Sequence, residues 1–157
     1  PVLFESLILN GRLWTYLADL NEQAQERILL ITEQMKTSEG VTEDLKACVA
    51  AAHKYGREIK VIFETDALKE EQIRRMCHCC MEAGVDFVKT STGFLTGHES
   101  HGATPELIAL MMEEVGDRCK IKGSGCIRTR EHFLQLIDMG IDRMGVGYRS
   151  VPVVLGL

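Results

Sequence analysis

The sequence predicts an α/β protein: the C-terminal half of a TIM-type (β/α)8 barrel, four parallel strands with helices, preceded by an all-helical N-terminal segment. Three observations carry this. From residue 57 onward, short apolar runs alternate with stretches of helical periodicity, a βαβαβαβ series. Such a series makes a parallel sheet with right-handed crossovers. The runs ending at Lys89 and Lys122 are followed by Gly, Ser and Thr, the residues of loops that open from strand ends. Before residue 47 there is no convincing strand.

Taken in order, the N-terminal residues Phe4, Leu7 and Ile8 have helical spacing, broken by Asn10-Gly11. Leu13, Leu17 and Leu20 begin a second apolar stripe, continued by Ile28, Ile31 and Met35 up to a stop at Ser38-Glu39-Gly40. A third helix is expected from Thr42, its cap, to Tyr55, with Gly56 as its stop. Strands follow at 59–64, 85–90, 119–123 and 142–146, and helices at 69–83, 105–116 and 130–139. Thr104-Pro105-Glu106 is a good helix start, with Thr as cap, Pro in the first turn and an acid near the positive end of the dipole. Leu107, Leu110, Met111 and Val115 mark one face of that helix. Thr129 caps the next, Phe133, Leu136 and Ile137 form its inner face, and Gly140 ends it.

Composition narrows the function classes. A chain of 157 residues is one compact domain, of a size that buries roughly 68–70% of its unfolded surface. Its hydrophobic fraction of 45% and charged fraction of 26% are those of a soluble globular protein. The net charge of -5 argues against non-specific nucleic-acid binding. No apolar run approaches the roughly 20 residues of a membrane span, and no secretory signal is evident. The chain opens on Pro1 without Met, from which an upstream piece is expected. Of the six cysteines, Cys77, Cys79 and Cys80 cluster on one helix, without a second cluster at zinc-site spacing. Cys77 and Cys80 share the inward face with Ile73 and Met76, so they read as small core fillers in a reducing cytoplasm. No metal or other cofactor is expected.

The chemistry rests on Lys89 and Lys122. Both close a strand at its C-terminal end, where α/β folds carry their active sites. Two lysines brought together make charge on each more costly, which renders an amine neutral and nucleophilic near neutral pH. On spacing alone they read rather as two surface lysines at strand ends. Gly123-Ser124-Gly125-Cys126 leads into the helix near Arg130, and small residues before a helix N-terminus suit an anion, although such a loop is as often a plain turn. Lys60 lies near the N-terminal end of its strand, away from the catalytic end, and reads as structural. Lys120 shares a face with Lys122 and lies deeper. His98 and His101 fall on the loop after the Lys89 strand and read as an exposed polar insertion. Glu64 ends its strand on the lysine side, either as a partner for them or as a cap for the following turn.

Three stretches resemble deoxyribose-phosphate aldolase, a class I (Schiff-base) aldolase family. They are Ile59-Lys60-Val61-Ile62-Phe63-Glu64-Thr65, the run from Ala83 to Phe94 containing Val88-Lys89-Thr90-Ser91-Thr92-Gly93, and Lys122-Gly123-Ser124-Gly125-Cys126-Ile127-Arg128-Thr129. The resemblance begins near Cys48 and covers about two-thirds of the chain. It implies that Lys89 is the Schiff-base lysine and that Lys122 tunes it. It also implies a phosphate site at Gly125, Cys126, Gly145 and Gly147, and a small phosphorylated sugar, 2-deoxyribose 5-phosphate, as substrate. The chain departs from that family where Cys126 stands for a second glycine, Gly147-Tyr148 for two serines, and Lys120 for a small residue.

Leu9-Asn10-Gly11-Arg12-Leu13-Trp14, Leu17-Ala18-Asp19-Leu20 and the run from Gln23 to Leu45 resemble the transposon-encoded TnpV family. Residues 1–47 are therefore read as a helical segment and 48–157 as the aldolase-like half-barrel, joined at Leu45-Lys46-Ala47. The aldolase resemblance implies an acidic proton relay on a fourth strand. The corresponding stretch here, Ile28-Leu29-Leu30-Ile31-Thr32, looks helical and has no Asp. Two functions are expected from this mosaic: an aldolase-like lyase of reduced activity, or a non-catalytic fusion product serving as a remnant or interaction module. A half-barrel leaves open strand edges and an apolar sheet face, which either the N-terminal helices cover or a second chain completes to eight strands; a homodimer is expected.

Overall fold

The computed structural model describes residues 38–93 and 99–157. The first two expected helices and His98 lie outside those residues. The described elements are α1 (Ser38–His53), β1 (Lys60–Ile62), a 3₁₀ turn (Thr65–Ala67), α2 (Glu70–Ala83), β2 (Phe87–Lys89), α3 (Pro105–Val115), β3 (Lys120–Ser124), α4 (Arg130–Asp138), β4 (Arg143–Gly145) and α5 (Val151–Leu155). The four strands form one parallel sheet in the order β1-β2-β3-β4, so each helical crossover returns the chain beside the strand it left.

Strand alternation gives the sheet two distinct faces. Val61, Phe63, Val88 and Ile121 point into the cluster shared with the helices, and Met144 packs against it. Lys60, Ile62, Phe87, Lys89, Lys120, Lys122 and Arg143 take the opposite face. Register is pinned from outside the strands as well. Asp86, just before β2, accepts hydrogen bonds from the Ile59 N–H (2.8 Å) and from His53 Nε2 (2.8 Å). Asp142, just before β4, accepts from the Ile121 N–H at 2.8 Å. A slip of one residue would move every side chain to the wrong face and break both contacts.

Helix α1 is already formed at Ser38, before the Thr42 start that the sequence suggests. Ser38-Glu39-Gly40 lies inside it rather than ending a helix, and Thr42 is not its cap. The Thr42 hydroxyl instead donates to the Ser38 carbonyl at 2.9 Å, the back-bond a threonine makes one turn inside a helix. Val41, Leu45 and Val49 recur every four residues and are buried, the stripe that packs α1 on α2. The helix runs unbroken through residue 47. In α2, Cys77 and Cys80 are buried with Ile73 as expected, and Cys79 is buried too, its thiol against the Ser38 carbonyl.

The α3 and α4 starts match their sequence signals: Thr104 and Thr129 accept from the N–H groups of Leu107 and His132. Their buried faces are rotated from expectation. In α3, Ile108, Met111 and Val115 form the buried line, while Leu107 and Leu110 are only partly covered. In α4 only Leu136 is fully buried, and Ile137 is 46% exposed. Ile137 is one step of about 100° past Leu136, and the sequence run could not say where a neighbouring helix ends.

The loops at the strand ends are fastened by backbone contact. A Cβ on Gly102 (φ +65) would stand 2.3 Å from the Gly125 carbonyl carbon and oxygen. The neighbouring Ala103 N–H donates to that same oxygen at 3.1 Å. Asp66 holds the other side, accepting from the N–H groups of His101 (3.0 Å) and Gly102 (3.1 Å). Gly102→Ala should therefore cost clearly more stability than Gly140→Ala, where φ is +84 but nothing lies within 4 Å. Left-handed backbone alone costs about 1–2 kcal/mol at each; urea midpoints should separate the two, and equal losses would contradict the close approach.

Candidate active site at the strand ends

The register aligns side chains in layers across the concave row of residues. Ile62 pairs with Lys89, Lys89 with Lys122, and Lys122 with Arg143. One layer below lie Lys60, Phe87 and Lys120, paired in the same way. Continuing the register two residues upward sets Glu64 beside Ser91 and Ser91 beside Ser124, and Ser124 pairs with Gly145. The two lysines singled out in the sequence are thus direct neighbours, with a cationic layer beneath and a polar layer above.

Both amines are half-buried, and both are shifted below the ordinary lysine value. For Lys89 the causes are burial, then the charges of Lys122 and Lys60, while Glu64 acts in the opposite direction. For Lys122 they are burial, then the charges of Lys60 and Arg143. Lys60, read from the sequence as remote, lies on the same face and its charge reaches both lysines.

The lower layer is held by one aromatic ring. The ammonium groups of Lys60 and Lys120 stand 5.7 and 5.0 Å from the centre of the buried Phe87 ring, and the Arg143 guanidinium stands 4.2 Å away. Three cations sharing a ring would repel, and Glu58 offsets this by pairing with Lys120 (3.0 Å) and Arg143 (3.5 Å). Lys120 is thereby accommodated where the aldolase resemblance calls for a small residue.

Glu64 and the β2 exit make the upper layer. The buried Glu64 carboxylate accepts from Ser91 Oγ (2.6 Å), Thr92 Oγ1 (2.5 Å) and the Thr92 N–H (3.2 Å). It makes no cap to its own 3₁₀ turn, so the capping alternative fails. Beside it, Thr90 Oγ1 donates to the Ser124 carbonyl at 2.7 Å and accepts from the Ser124 N–H at 2.9 Å. Ser124 Oγ donates to the Ser91 carbonyl at 2.5 Å. These bonds carry the β2–β3 pairing past the strands and fix the direction in which the loops leave.

The expected anion-site residues fall on two adjacent strand ends, in unequal surroundings. Gly125 (φ +91) packs against Gly102 and Ser91. Cys126 keeps a left-handed backbone, φ 56, which glycine would adopt without cost, and its thiol lies 3.2 Å from the Ser100 carbonyl. Gly145 faces Lys122: a Cβ there would lie 3.4 Å from Lys122 Cε and 3.9 Å from Nζ, so this glycine gives the lysine its room. A Cβ on Gly147 would meet nothing within 4 Å, and Tyr148 is exposed. His101 lies near Asp66 (3.7 Å) and Glu99 (3.7 Å) on the surface. Among the described residues no group of three His, Cys, Asp or Glu side chains is disposed to hold a metal. No described helix is long and apolar enough to cross a membrane.

Sequence reasoning missed the hydrogen-bonding role of Glu64, the loop clamp by Asp66 and the closeness of Arg143. For Glu64 a signal existed, since it stands two residues past Ile62 just as Ser91 stands two past Lys89. Nothing local in the sequence marks Asp66 as the partner of a loop 35 residues away.

Comparison with known proteins agrees with this fold. Over its C-terminal part the chain is similar to deoxyribose-phosphate aldolases. It is 47% identical over 114 residues to that of Kocuria rhizophila, a match covering 72% of this chain and 50% of the relative. It is 46% identical over 121 residues to that of Thermococcus kodakarensis, covering 77% and 52%. The chain therefore spans about half the length of the curated relatives it matches. Among solved structures, a putative deoxyribose-phosphate aldolase from Coccidioides immitis superposes with a TM-score of 0.64 at 32% identity, over 80% of this chain and 47% of that one. A tetrameric deoxyribose phosphate aldolase from Aeropyrum pernix gives 0.64 at 27% identity, over 76% and 49%. The fold is that of half an aldolase TIM barrel. The family model for the transposon-encoded protein TnpV matches residues 1–75, extending past residue 47 through β1 and into α2.

The layered arrangement has a signed consequence. Lys122→Met removes the largest charge acting on Lys89 and should move the pH midpoint of Lys89 acetylation upward. Lys60→Met should move it the same way by less. Mass mapping after acetic anhydride treatment across a pH series reads both, and a downward shift in either would contradict the layering.

Proposed function

We propose that this chain is a deoxyribose-phosphate aldolase-like lyase acting through an imine on Lys89. The observation that carries the reading is the pairing of Lys89 with Lys122 on one face at the strand ends, with Lys89 shifted below its ordinary pKa. A neutral Lys89 amine attacks the aldehyde carbon, and loss of water leaves the iminium. That cation takes up the electron pair of the C2–C3 bond, one carbon removed from it, as the bond breaks and the C3 hydroxyl gives up its proton to become the new aldehyde. The resulting enamine is protonated at C2 and returns to the iminium. For 2-deoxyribose 5-phosphate the products are glyceraldehyde 3-phosphate and, after hydrolysis of the imine, acetaldehyde. Lys122 keeps Lys89 neutral and exchanges protons with the reacting groups. The β3 and β4 ends, with Gly125, Cys126, Gly145 and Gly147, face the phosphate. A second copy of the chain completes the barrel at the β1 and β4 edges, and the chain works in the cytoplasm.

A second reading is favoured by one specific observation. The chain matches only half of each relative, and Ile28–Thr32, where an acidic relay would be expected, contains no carboxylate. On this reading the half-barrel, fused to a transposon-like segment, is a non-catalytic interaction module.

Acetaldehyde with borohydride separates the two. The imine formed with loss of water is reduced by hydride to an ethyl amine, and the ethyl group should map to Lys89 in a preparation that sediments as a dimer at micromolar concentration. Turnover of the deoxysugar phosphate should fall about 10²–10⁴-fold below that of full-length relatives, the usual worth of general acid–base assistance. Folded protein that is not ethylated at Lys89 would contradict the lyase reading. Turnover equal to the relatives would show that a carboxylate elsewhere supplies the relay.

A further inference from the structure

We propose that Glu64 is a positioning residue of the Lys89 site: its buried carboxylate locks the turn after Lys89 and holds a fixed negative charge one layer above it. The inference rests on the Lys89 imine reading for its chemical purpose, but on separate observations for its geometry.

Three features set Glu64 apart. Its backbone is left-handed, φ 58 and ψ 59, a conformation that costs a β-carbon residue energy and persists only where surrounding contacts hold it. Its side chain is 2% exposed, yet it ignores the 3₁₀ turn that it precedes. It reaches instead across 27 and 28 residues of sequence to Ser91 and Thr92, the second and third residues after Lys89. Every described partner donates to it, which is how a carboxylate anion is satisfied. The backbone agrees: Phe63 N–H donates to the Lys89 carbonyl (2.9 Å) and Thr65 N–H to the Thr90 carbonyl (3.0 Å). Glu64 is thus bracketed between two bonds to the very segment it grips.

The charges around Lys89 explain the need. Lys60 from β1, Lys122 from β3 and Arg143 from β4 face this region, with Lys120 and its partner Glu58 below. Cations that keep the amine neutral penalise the cationic iminium by the same Coulomb interaction. A carboxylate held in place by hydroxyl donors offsets part of that penalty without being free to swing over and pair with the ammonium. Glu64 therefore limits how far Lys89 is depressed, and it fixes the turn that aims the Lys89 side chain.

The test uses the full chain and two independent readouts. Glu64→Gln keeps the shape and removes the charge, so acetylation of Lys89 by acetic anhydride at pH 7 should be about threefold faster or more, with the midpoint moved to lower pH. If Glu64→Gln does not fold, Thr92→Val replaces it. Removing a hydroxyl that competes for the carboxylate should slow Lys89 acetylation and move the midpoint up. Unchanged acetylation in folded Glu64→Gln, with only a lower melting temperature, would overturn the proposal and leave Glu64 a structural pin. Unchanged acetylation in Thr92→Val would overturn it equally. Borohydride trapping of the wild type with acetaldehyde is scored separately. A charge effect on acetylation without ethylation of Lys89 supports Glu64 as a positioning residue while refuting the imine reading. Ethylation without a charge effect does the reverse.

Discussion

Register between β2 and β3 is the constraint on which the site depends. With Phe87, Val88 and Lys89 opposite Lys120, Ile121 and Lys122, the two amines meet and Val88 and Ile121 go together into the helix-facing core. Shifting β3 by one residue would bury Lys122 among apolar side chains and turn Ile121 toward Lys89, losing the core and the chemistry at once. Packing and function therefore select the same alignment. The Thr90–Ser124 and Ser124–Ser91 bonds continue that alignment to the loops, where polar side chains replace strand pairing. The close contact of Gly102 with Gly125, braced by Asp66, joins the next two loops to the same frame.

Electrostatics on the concave face follow from that frame. Five cationic side chains share it, and two carboxylates answer them at different depths: Glu58 pairs with Lys120 and Arg143 at the bottom, and Glu64 is tied to hydroxyls at the top. Neither forms a described ion pair with Lys89 or Lys122, so the middle layer is left cationic. Burial then acts with the neighbouring charges, and both lower the pKa of Lys89. A direct carboxylate partner would have cancelled this and held the amine protonated.

Much of the fold was legible because its signals are local. Apolar runs, the Thr104 and Thr129 caps and Gly140 after α4 each act within a few residues, and β1–β4 and α2–α4 lie close to where they were expected, whereas α5 was not expected. Lys89 and Lys122 were legible for the same reason, as polar residues ending apolar runs. Facing partners were harder. Ile137 has helical spacing like Leu136 but no element covers it, and Thr42 resembles a cap while lying inside α1. The grip of Glu64 on Ser91 and Thr92 depends on strands 27 residues apart being adjacent, and Lys60 becomes part of the site only because β1 pairs with β2 in the observed register. Such contacts are properties of the assembled sheet and leave no trace in local periodicity.

Everything above requires that this half-barrel by itself makes the Lys89 amine easier to deprotonate than an ordinary lysine. Nuclear magnetic resonance of protein labelled with carbon-13 at the lysine Cε positions tests it directly, because the Cε shift reports protonation of each amine, with a Lys89→Met sample to assign the signal. Both Lys89 and Lys122 should titrate with midpoints below the ordinary value of 10.5. A Lys89 midpoint at or above 10.5, in folded protein, would contradict that requirement.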